Sequence, residues 1–178
     1  MHETLSKRHT LETLLGDVER AMTANVLVLP PEMRASEAAA MMGHRGVAGA
    51  PVVEGGVVIG VVTLADLWER TGYVHAQTSG PFLRPEGHLS TFSVRDVMTR
   101  DVVTVTTETL LIDAVALMDE GGVNRLPVVD ETGRPVGILA RDDVIQTLAR
   151  LAKGASPSTR QRGAYRRGGG DHVGPGEA

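Results

Sequence analysis

The 178-residue sequence contains no cysteine and few aromatic residues. The absence of cysteine excludes disulfides, thiolate metal ligands and cysteine nucleophiles. Aromatic residues make up only 3% of the chain, which argues against the stacking platforms that bind single-stranded nucleic acid. Because the hydrophobic fraction is nonetheless 42%, we expect a packed core built from aliphatic side chains and methionine.

Long hydrophobic runs are also missing. The longest, such as Val57 to Ala65, fall far short of the roughly 20 residues that cross a bilayer. The N-terminal residues lack the apolar segment of a signal peptide, so we expect a soluble cytoplasmic protein with no membrane contact. The six histidines show no ligand spacing, and no nucleophile–base pair or Walker-type loop is present. We therefore predict neither a metal site nor an enzyme, and no required cofactor.

The charge is unevenly distributed along the chain. The formal net charge is −4, yet five basic and only two acidic residues follow from Lys153 onward. An acidic body with a short basic tail makes a nucleic-acid-binding body unlikely. The Gly/Arg-rich tail at 153–178 cannot bury enough apolar area to offset its ordering entropy, so we predict disorder there. It could contact an anionic partner or simply be solvated.

Most of the remaining chain is duplicated. Aligning Met22 with Met98 gives 12 identities over the 32 positions from 22 to 53. Glu54-Gly55-Gly56 predicts a hairpin turn, because glycines permit positive φ. Beyond this hairpin the offset rises from 76 to 77 residues, because the second turn has one extra residue, and Asp66 then aligns with Asp143. The repeat predicts two units of the same fold.

Each copy reads as strand, helix, strand, strand, helix. We predict strands at 26–29, 48–53, 57–62, 102–105, 125–129 and 135–140, and helices at 34–44, 64–70, 110–120 and 141–151. Ser36 and either Thr107 or Thr109 are candidate N-caps. The predicted organisation is an N-terminal helical leader at 1–17, repeat 1 at 18–71, a connector at 72–92, repeat 2 at 93–152 and the tail.

The two copies resemble the cystathionine-β-synthase (CBS) domain pair, or Bateman module, over about residues 18–152. The motifs that carry the resemblance are Ala21-Met22-Thr23, Asp96-Val97-Met98-Thr99, Ala50-Pro51-Val52-Val53, Leu126-Pro127-Val128-Val129, and the segments Gly60 to Asp66 and Gly137 to Asp143. This resemblance implies an α+β fold, sandwich-like, in which two repeats pack through their sheets with pseudo-twofold symmetry. It also implies a homodimer of modules and adenosine nucleotides (AMP, ADP or ATP) or S-adenosylmethionine as regulatory ligands.

The residue chemistry suits a nucleoside. An aspartate at a helix start accepts hydrogen bonds from ribose hydroxyls, and a threonine three residues earlier adds a hydroxyl. The first copy has both, in Thr63 and Asp66, whereas the second has Asp143 preceded by Ala140. In the family, residues just before the Pro-Val-Val strand often reach the phosphates, and here the second copy offers Asn124 and Arg125.

We therefore expect the better site to combine the Thr63–Asp66 pair with Asn124 and Arg125. The adenine contacts expected there are Thr23, Val26 and Leu27, and the corresponding candidates in the second copy are Thr99, Val102 and Val103. We expect the Asp143 site to lack an opposing base and to be weak or empty.

Simpler roles remain open for the same residues. Asp66, Asp143 and Thr63 could only cap their helices, and Arg125 could only pair with a nearby carboxylate such as Asp119 or Glu120. The leading hypothesis is a regulatory module that binds an adenosyl ligand and transmits its presence to an effector protein. The alternative is a ligand-free dimeric interaction scaffold with vestigial pockets.

Overall fold

The computed structural model describes residues 9–10, 12–69 and 91–154, without the side chain of Glu69. Most of the predicted connector, nearly all of the tail and the first eight leader residues therefore lie outside the described part. The described leader is helical at 12–15, where Leu15 is buried. A short 3-10 turn follows at Val18–Arg20.

Ten helices and strands follow along the described chain. They are β1 (Thr23–Ala24), α1 (Ala35–Arg45), β2 (Gly49–Glu54), β3 (Val57–Thr63), α2 (Leu64–Glu69), α3 (Val94–Val97), α4 (Leu111–Glu120), β4 (Arg125–Val129), β5 (Pro135–Ala140) and α5 (Arg141–Ala152). The strands form a two-stranded sheet, β2-β3, and a three-stranded sheet, β1-β5-β4. All named strand pairs are antiparallel.

The predicted strands at 26–29 and 102–105 do not form. The first lies on the stretch 23–29, which begins in β1, paired with β5, and ends at Leu29, which forms a single bridge with Val52 of β2. The second lies on the stretch 99–105, which begins at Thr99, bridged to Val61 of β3, and ends at Val105, bridged to Val128 of β4. Each segment crosses from one sheet to the other, so it cannot keep one hydrogen-bonding partner.

The hairpin turn at Gly55-Gly56 forms as predicted. Glu54 pairs with Val57, and the two glycines have φ values of 60° and 87°. Two successive left-handed residues are typical of a type I′ turn, and glycine adopts them without steric cost.

The predicted N-caps are wrong. Arg34 and Leu110 occupy the N-cap positions of α1 and α4, and neither side chain caps its helix. Backbone carbonyls of the opposite half act there instead: the N–H of Ala35 donates to Phe92 O, and that of Leu111 donates to Gly16 O, both at 2.9 Å. Long-range backbone contacts thus replace the side-chain caps that local sequence suggested.

The segments 17–23 and 93–99, which end in the two Met-Thr motifs and are called the leader segments from here on, are exchanged between the halves. Each one packs on the repeat of the other copy. Val18 N donates to Thr109 O, and at the equivalent position Val94 N donates to Met33 O, each at 2.8 Å. The buried core follows the same exchange, since Val18 belongs to the cluster of the second copy and Val94 to that of the first. Each core is therefore built from both halves of the sequence.

Gly60 and Gly137 accommodate these leaders. A Cβ on Gly60 would lie 2.7 Å from the Met98 sulfur and 2.9 Å from Thr99 O. A Cβ on Gly137 would lie 2.8 Å from the Met22 sulfur and 3.0 Å from Thr23 O. The Met-Thr motif of one copy and the glycine of the other are thus two sides of one contact.

The two sheets also meet directly. Val58 N of β3 donates to Gly133 O in the β4–β5 turn, and the side chain of Arg125 at the start of β4 lies across Gly49 of β2. The repeated element order and the mixture of helices with two small sheets confirm the predicted α+β class.

Candidate functional site

Thr63 and Asp66 form a closed hydrogen-bonded pair where β3 passes into α2. The N–H and the hydroxyl of Thr63 both donate to Asp66 Oδ2 at 2.7 Å, and the N–H of Asp66 donates to Thr63 Oγ1 at 3.1 Å. Both residues are half-buried. The capping role left open by the sequence is therefore present, and it holds the carboxylate in one orientation.

The equivalent turn in the second copy is simpler. Ala140 N donates to Asp143 Oδ2 at 3.0 Å, and alanine stands where the first copy has the threonine hydroxyl. Asp143 is nevertheless more buried, with 7% of its surface exposed. Its carbonyl accepts from Thr147 Oγ1, which in turn accepts from Arg150 Nη2, both at 2.8 Å.

The structure places Thr23 and Thr99 differently from the expected grouping, because the segments that carry them are exchanged between the halves. Thr23 pairs with Ile138 of β5, so it lies with the Asp143 turn, and it lines a cleft together with Asp143. Thr99 is bridged to Val61 of β3 and so lies with the Thr63–Asp66 turn. Each threonine is thus placed beside the aspartate of the other copy.

The apolar candidates lie on the two crossing segments. Val26 and Leu27 are half-buried, and Leu27 packs against the core cluster of the first copy. Val102 is half-buried and Val103 is 39% exposed. All four residues therefore lie on stretches of chain that cross from one sheet to the other.

Arg125 reaches the first copy as predicted. A Cβ on Gly49 would lie 2.8 Å from Arg125 Cδ and 2.9 Å from its Nε, and Gly49 is the cross-strand partner of Thr63. The guanidinium takes part in none of the ion pairs of the described residues, so the alternative pairing with Asp119 or Glu120 is not observed. Asn124 is exposed, and its carbonyl accepts from Arg141 N at 2.9 Å.

The cleft at Asp143 contains residues that the sequence reasoning missed. It is lined by Arg20, Ala21, Met22, Thr23, Asp143, Gln146 and Arg150. The expectation that no base faces Asp143 is therefore wrong, since Arg20 and Arg150 border the cleft. The useful signal was the helical spacing of 143, 146 and 150, which places the three residues on one face of α5.

Within residues 9–10, 12–69 and 91–154, no group of three or more histidine, aspartate or glutamate side chains is arranged to hold a metal ion. The helices of the same described part are all too short or too polar to cross a membrane.

The duplicated fold and its paired turns agree with the comparison to known families. The CBS domain model matches this chain twice, at residues 15–67 and 94–150. The chain belongs to the CBS-domain family. The first match includes the Thr63–Asp66 turn and the second includes the Asp143 turn. The two halves described above are therefore the two CBS repeats.

Relatives of this CBS-domain chain are found alone and within larger proteins. The CBS domain-containing protein YhcV of Bacillus subtilis is 32% identical over 130 residues, which cover 73% of this chain and 84% of YhcV. The inosine-5'-monophosphate dehydrogenase of Korarchaeum cryptofilum is 30% identical over 71% of this chain, but over only 23% of its own length. The chain spans between 22% and 36% of several curated relatives.

Among solved structures, CBSX2 in complex with AMP matches with a TM-score of 0.61 and 29% identity. The match covers 76% of this chain and 98% of that one. CBSX2 from Arabidopsis thaliana is described as a CBS-pair protein.

Proposed function

We propose that this chain is a regulatory module that binds an adenosine nucleotide or a related adenosyl compound between its CBS repeats and transmits ligand state to a partner protein. The observation that carries the proposal is the convergence of Thr63, Asp66 and Arg125. Arg125 lies across Gly49, the strand partner of Thr63. A fixed carboxylate acceptor beside a cation matches the ribose and phosphate of a nucleotide.

The relatives support the ligand class. CBSX2, at 29% identity, has been solved with AMP. A non-enzymatic role is proposed because the match to the dehydrogenase of Korarchaeum cryptofilum is confined to 23% of that enzyme. A cytoplasmic location stays a prediction from the sequence.

The proposal is tested by isothermal titration with AMP, ADP, ATP and S-adenosylmethionine. We expect at least one of them to bind with a Kd below about 1 mM, a free energy of about −4 kcal/mol. Asp66→Asn should weaken that binding, because the amide offers one acceptor oxygen in place of two. The control is Asp142→Asn, an exposed carboxylate on α5. Failure of all four compounds to bind at millimolar concentration would reject a nucleotide ligand.

Homodimerisation is part of the proposal. Val115 on α4 and Ile145 and Leu148 on α5 are exposed by 38%, 56% and 46%. Exposed apolar side chains on neighbouring helices favour burial against a second copy. Sedimentation should give a dimer for the natural chain and a monomer for Ile145→Glu combined with Leu148→Glu. Val57→Glu, which changes an exposed valine in the β2–β3 hairpin, is the control.

A ligand-free dimeric scaffold is the second candidate. It is favoured by the Thr63–Asp66 pair, in which one carboxylate oxygen already accepts two hydrogen bonds at 2.7 Å. In that case adenosyl compounds would leave the melting temperature unchanged while the dimer and its partner binding persist.

A further inference from the structure

The first and second leader segments, in chain order, make the same backbone contacts with different side chains. Glu19 N donates to Thr107 O at 3.1 Å, and at the equivalent position Arg95 N donates to Pro31 O at 2.9 Å. The backbone alone would therefore hold the two segments about equally well. A difference in how firmly they are docked has to come from their side chains.

The second leader segment is held by two sets of side-chain contacts. Arg95 Nε donates to Glu32 Oε1 at 2.9 Å and its Nη2 donates to Glu54, so one guanidinium joins the segment to the loop before α1 and to the β2–β3 hairpin. Ser93 and Asp96 add a capping box, in which Asp96 Oδ2 accepts from the Ser93 hydroxyl at 2.6 Å and from Ser93 N at 2.8 Å. Both sets of contacts stabilise the docked segment.

The first leader segment has neither set of contacts. The positions equivalent to that arginine and its two glutamates, each offset by 76 residues, carry Glu19, Glu108 and Asp130. None of these three joins an ion pair of the described residues. Asp17 occupies the N-cap position of the segment and makes no side-chain cap hydrogen bond. Like charges thus stand where the second leader segment has an attractive contact, and they oppose docking.

The buried side chains differ in the same direction. Ala21 stands where the second leader segment has Val97, and 9% of the alanine surface is exposed against 1% of the valine surface. The methionines that follow, Met22 and Met98, are 9% and 5% exposed. Since stabilisation grows with the apolar area buried, the first leader segment gains less from its burial. Charge, capping and burial therefore all make the first leader segment the more weakly docked of the two.

The weakly docked segment forms one wall of the cleft at Asp143. Four of the seven residues that line this cleft, Arg20 to Thr23, belong to the first leader segment, and the other three lie on α5. Undocking of the segment would remove that wall. A ligand that contacts both walls binds only while the segment is docked, so its binding stabilises the docked state by mass action.

We propose that the first leader segment is a gate of the Asp143 cleft: it opens by local unfolding more readily than the second leader segment, and a ligand in the cleft closes it. Elements that respond to ligands are drawn from the less stable parts of a fold. The closing step rests on the proposed function and adds to it the element that moves. The difference in opening between the two segments is a property of the ligand-free chain.

Amide hydrogen exchange, followed by NMR in the ligand-free chain, tests the opening. Val18 and Glu19 report on the first leader segment and Val94 and Arg95 on the second, since the N–H of each donates to a backbone carbonyl of the opposite half. After correction for intrinsic exchange rates, we expect the first pair to be protected on the order of 10-fold less than the second. Equal or greater protection of the first pair would overturn the inference.

A charge reversal tests which residues weaken the gate. Glu19→Arg should raise the protection of Val18 on the order of 3- to 10-fold, because an arginine at this position can pair with Glu108 and Asp130 as its equivalent does in the other copy. The matched control is Glu120→Arg, the same change of charge at an exposed position of α4. An equal rise of protection in the control would make the effect one of net charge and would contradict the assignment.

The converse variant is Arg95→Glu, which gives the second leader segment the residue of the first. It should lower the protection of Val94 on the order of 3- to 10-fold and leave that of Val18 within about twofold. Unchanged protection of Val94 would show that the arginine contacts do not hold the segment.

Addition of AMP tests the closing step. At an AMP concentration ten times its Kd, the protection of Val18 and Glu19 should rise roughly 10-fold, while that of Val94 stays within about twofold. A rise at Val94 alone, or no change at Val18 when titration calorimetry shows AMP bound, would overturn the gate. Failure of AMP and of the other three adenosyl compounds to bind would contradict the proposed function instead, and the comparison in the ligand-free chain would still decide the difference in opening.

Discussion

The two repeats share their backbone contacts and differ in the side chains placed on them. The leaders dock through equivalent hydrogen bonds, Val18 N to Thr109 O and Val94 N to Met33 O, at the same distance of 2.8 Å. The aspartate turns differ, since Thr63 closes a side-chain pair with Asp66 and Ala140 does not. Duplication thus preserved the framework that fixes the strands, while the cleft residues diverged.

The largest expected effect tests the shared framework. Gly60→Val and Gly137→Val should each lower the free energy of unfolding by about 2–3 kcal/mol, because the added side chain collides with the docked Met-Thr segment. Urea denaturation measures the loss. Gly43→Ala, in helix α1, where nothing outside the helix backbone lies within 4 Å of an added Cβ, should instead be neutral or slightly stabilising. A loss in only one of the two valine variants would contradict the equivalence of the leader contacts.

A smaller effect tests the difference between the aspartate turns. Thr63→Ala should cost about 1 kcal/mol of stability, because it removes the hydroxyl that donates to Asp66 and accepts from its N–H. The reverse change, Ala140→Thr, should gain up to about 1 kcal/mol by creating the same pair with Asp143. Thermal unfolding of both variants checks the comparison, and a destabilised Ala140→Thr would show that the turns differ in more than this hydroxyl.

The two leader segments carry different charged residues at equivalent positions, which predicts a salt-dependent difference in how much each contributes to stability. Arg95 contacts Glu32 Oε1 at 2.9 Å and also Glu54, and hydrogen bonds to these carboxylates raise the pKa of the guanidinium. The equivalent residue in the other leader is Glu19. Arg95→Ala should lower the melting temperature slightly, less in 0.5 M salt than in dilute buffer. Glu19→Ala should not lower it, and a salt-independent loss in Arg95→Ala would attribute the effect to packing.

The smallest effect is on acid stability. The Ser93 hydroxyl donates to Asp96 Oδ2 at 2.6 Å, and this bond, followed by that from Ser93 N, lowers the pKa of Asp96 below its ordinary value of 3.8. The carboxylate therefore stabilises the fold above pH 3.8, and this contribution is lost as the pH falls through the lowered pKa. Asp96→Asn should lose less stability between pH 7 and pH 3 than the natural chain. An identical acid profile in both would contradict the assignment.

The repeat and its hairpin turn could be predicted because both signals can be read directly from the sequence. The offset alignment identified both copies, and Gly55-Gly56 predicted the turn that the backbone adopts. The N-caps were wrong because the partners of Ala35 N and Leu111 N come from the opposite half of the chain. Local sequence cannot show that a distant carbonyl will satisfy a helix start.

The candidate site likewise combines residues that the sequence motifs identify with residues that only long-range contacts bring together. Thr63, Asp66 and Arg125 were identified from motif position, and the structure brings the arginine to the threonine strand. The assignment of Thr23 to Asp66 was wrong because it assumed that each repeat folds on its own leader. Arg20 and Arg150 were missed because the exchange alone brings the first leader to the face of α5.

The exchanged leaders also set the order in which the chain can fold during synthesis. Residues 12–24 are synthesised well before the rest of the core that they join, which is completed by residues up to Val144. The first sheet waits for a shorter time, until Val94, Val97 and Met98 have been made. Domains generally fold as units during translation, the N-terminal one first. Within this unit, residues 12–24 have to wait for helix α5, and such long-range closure slows folding.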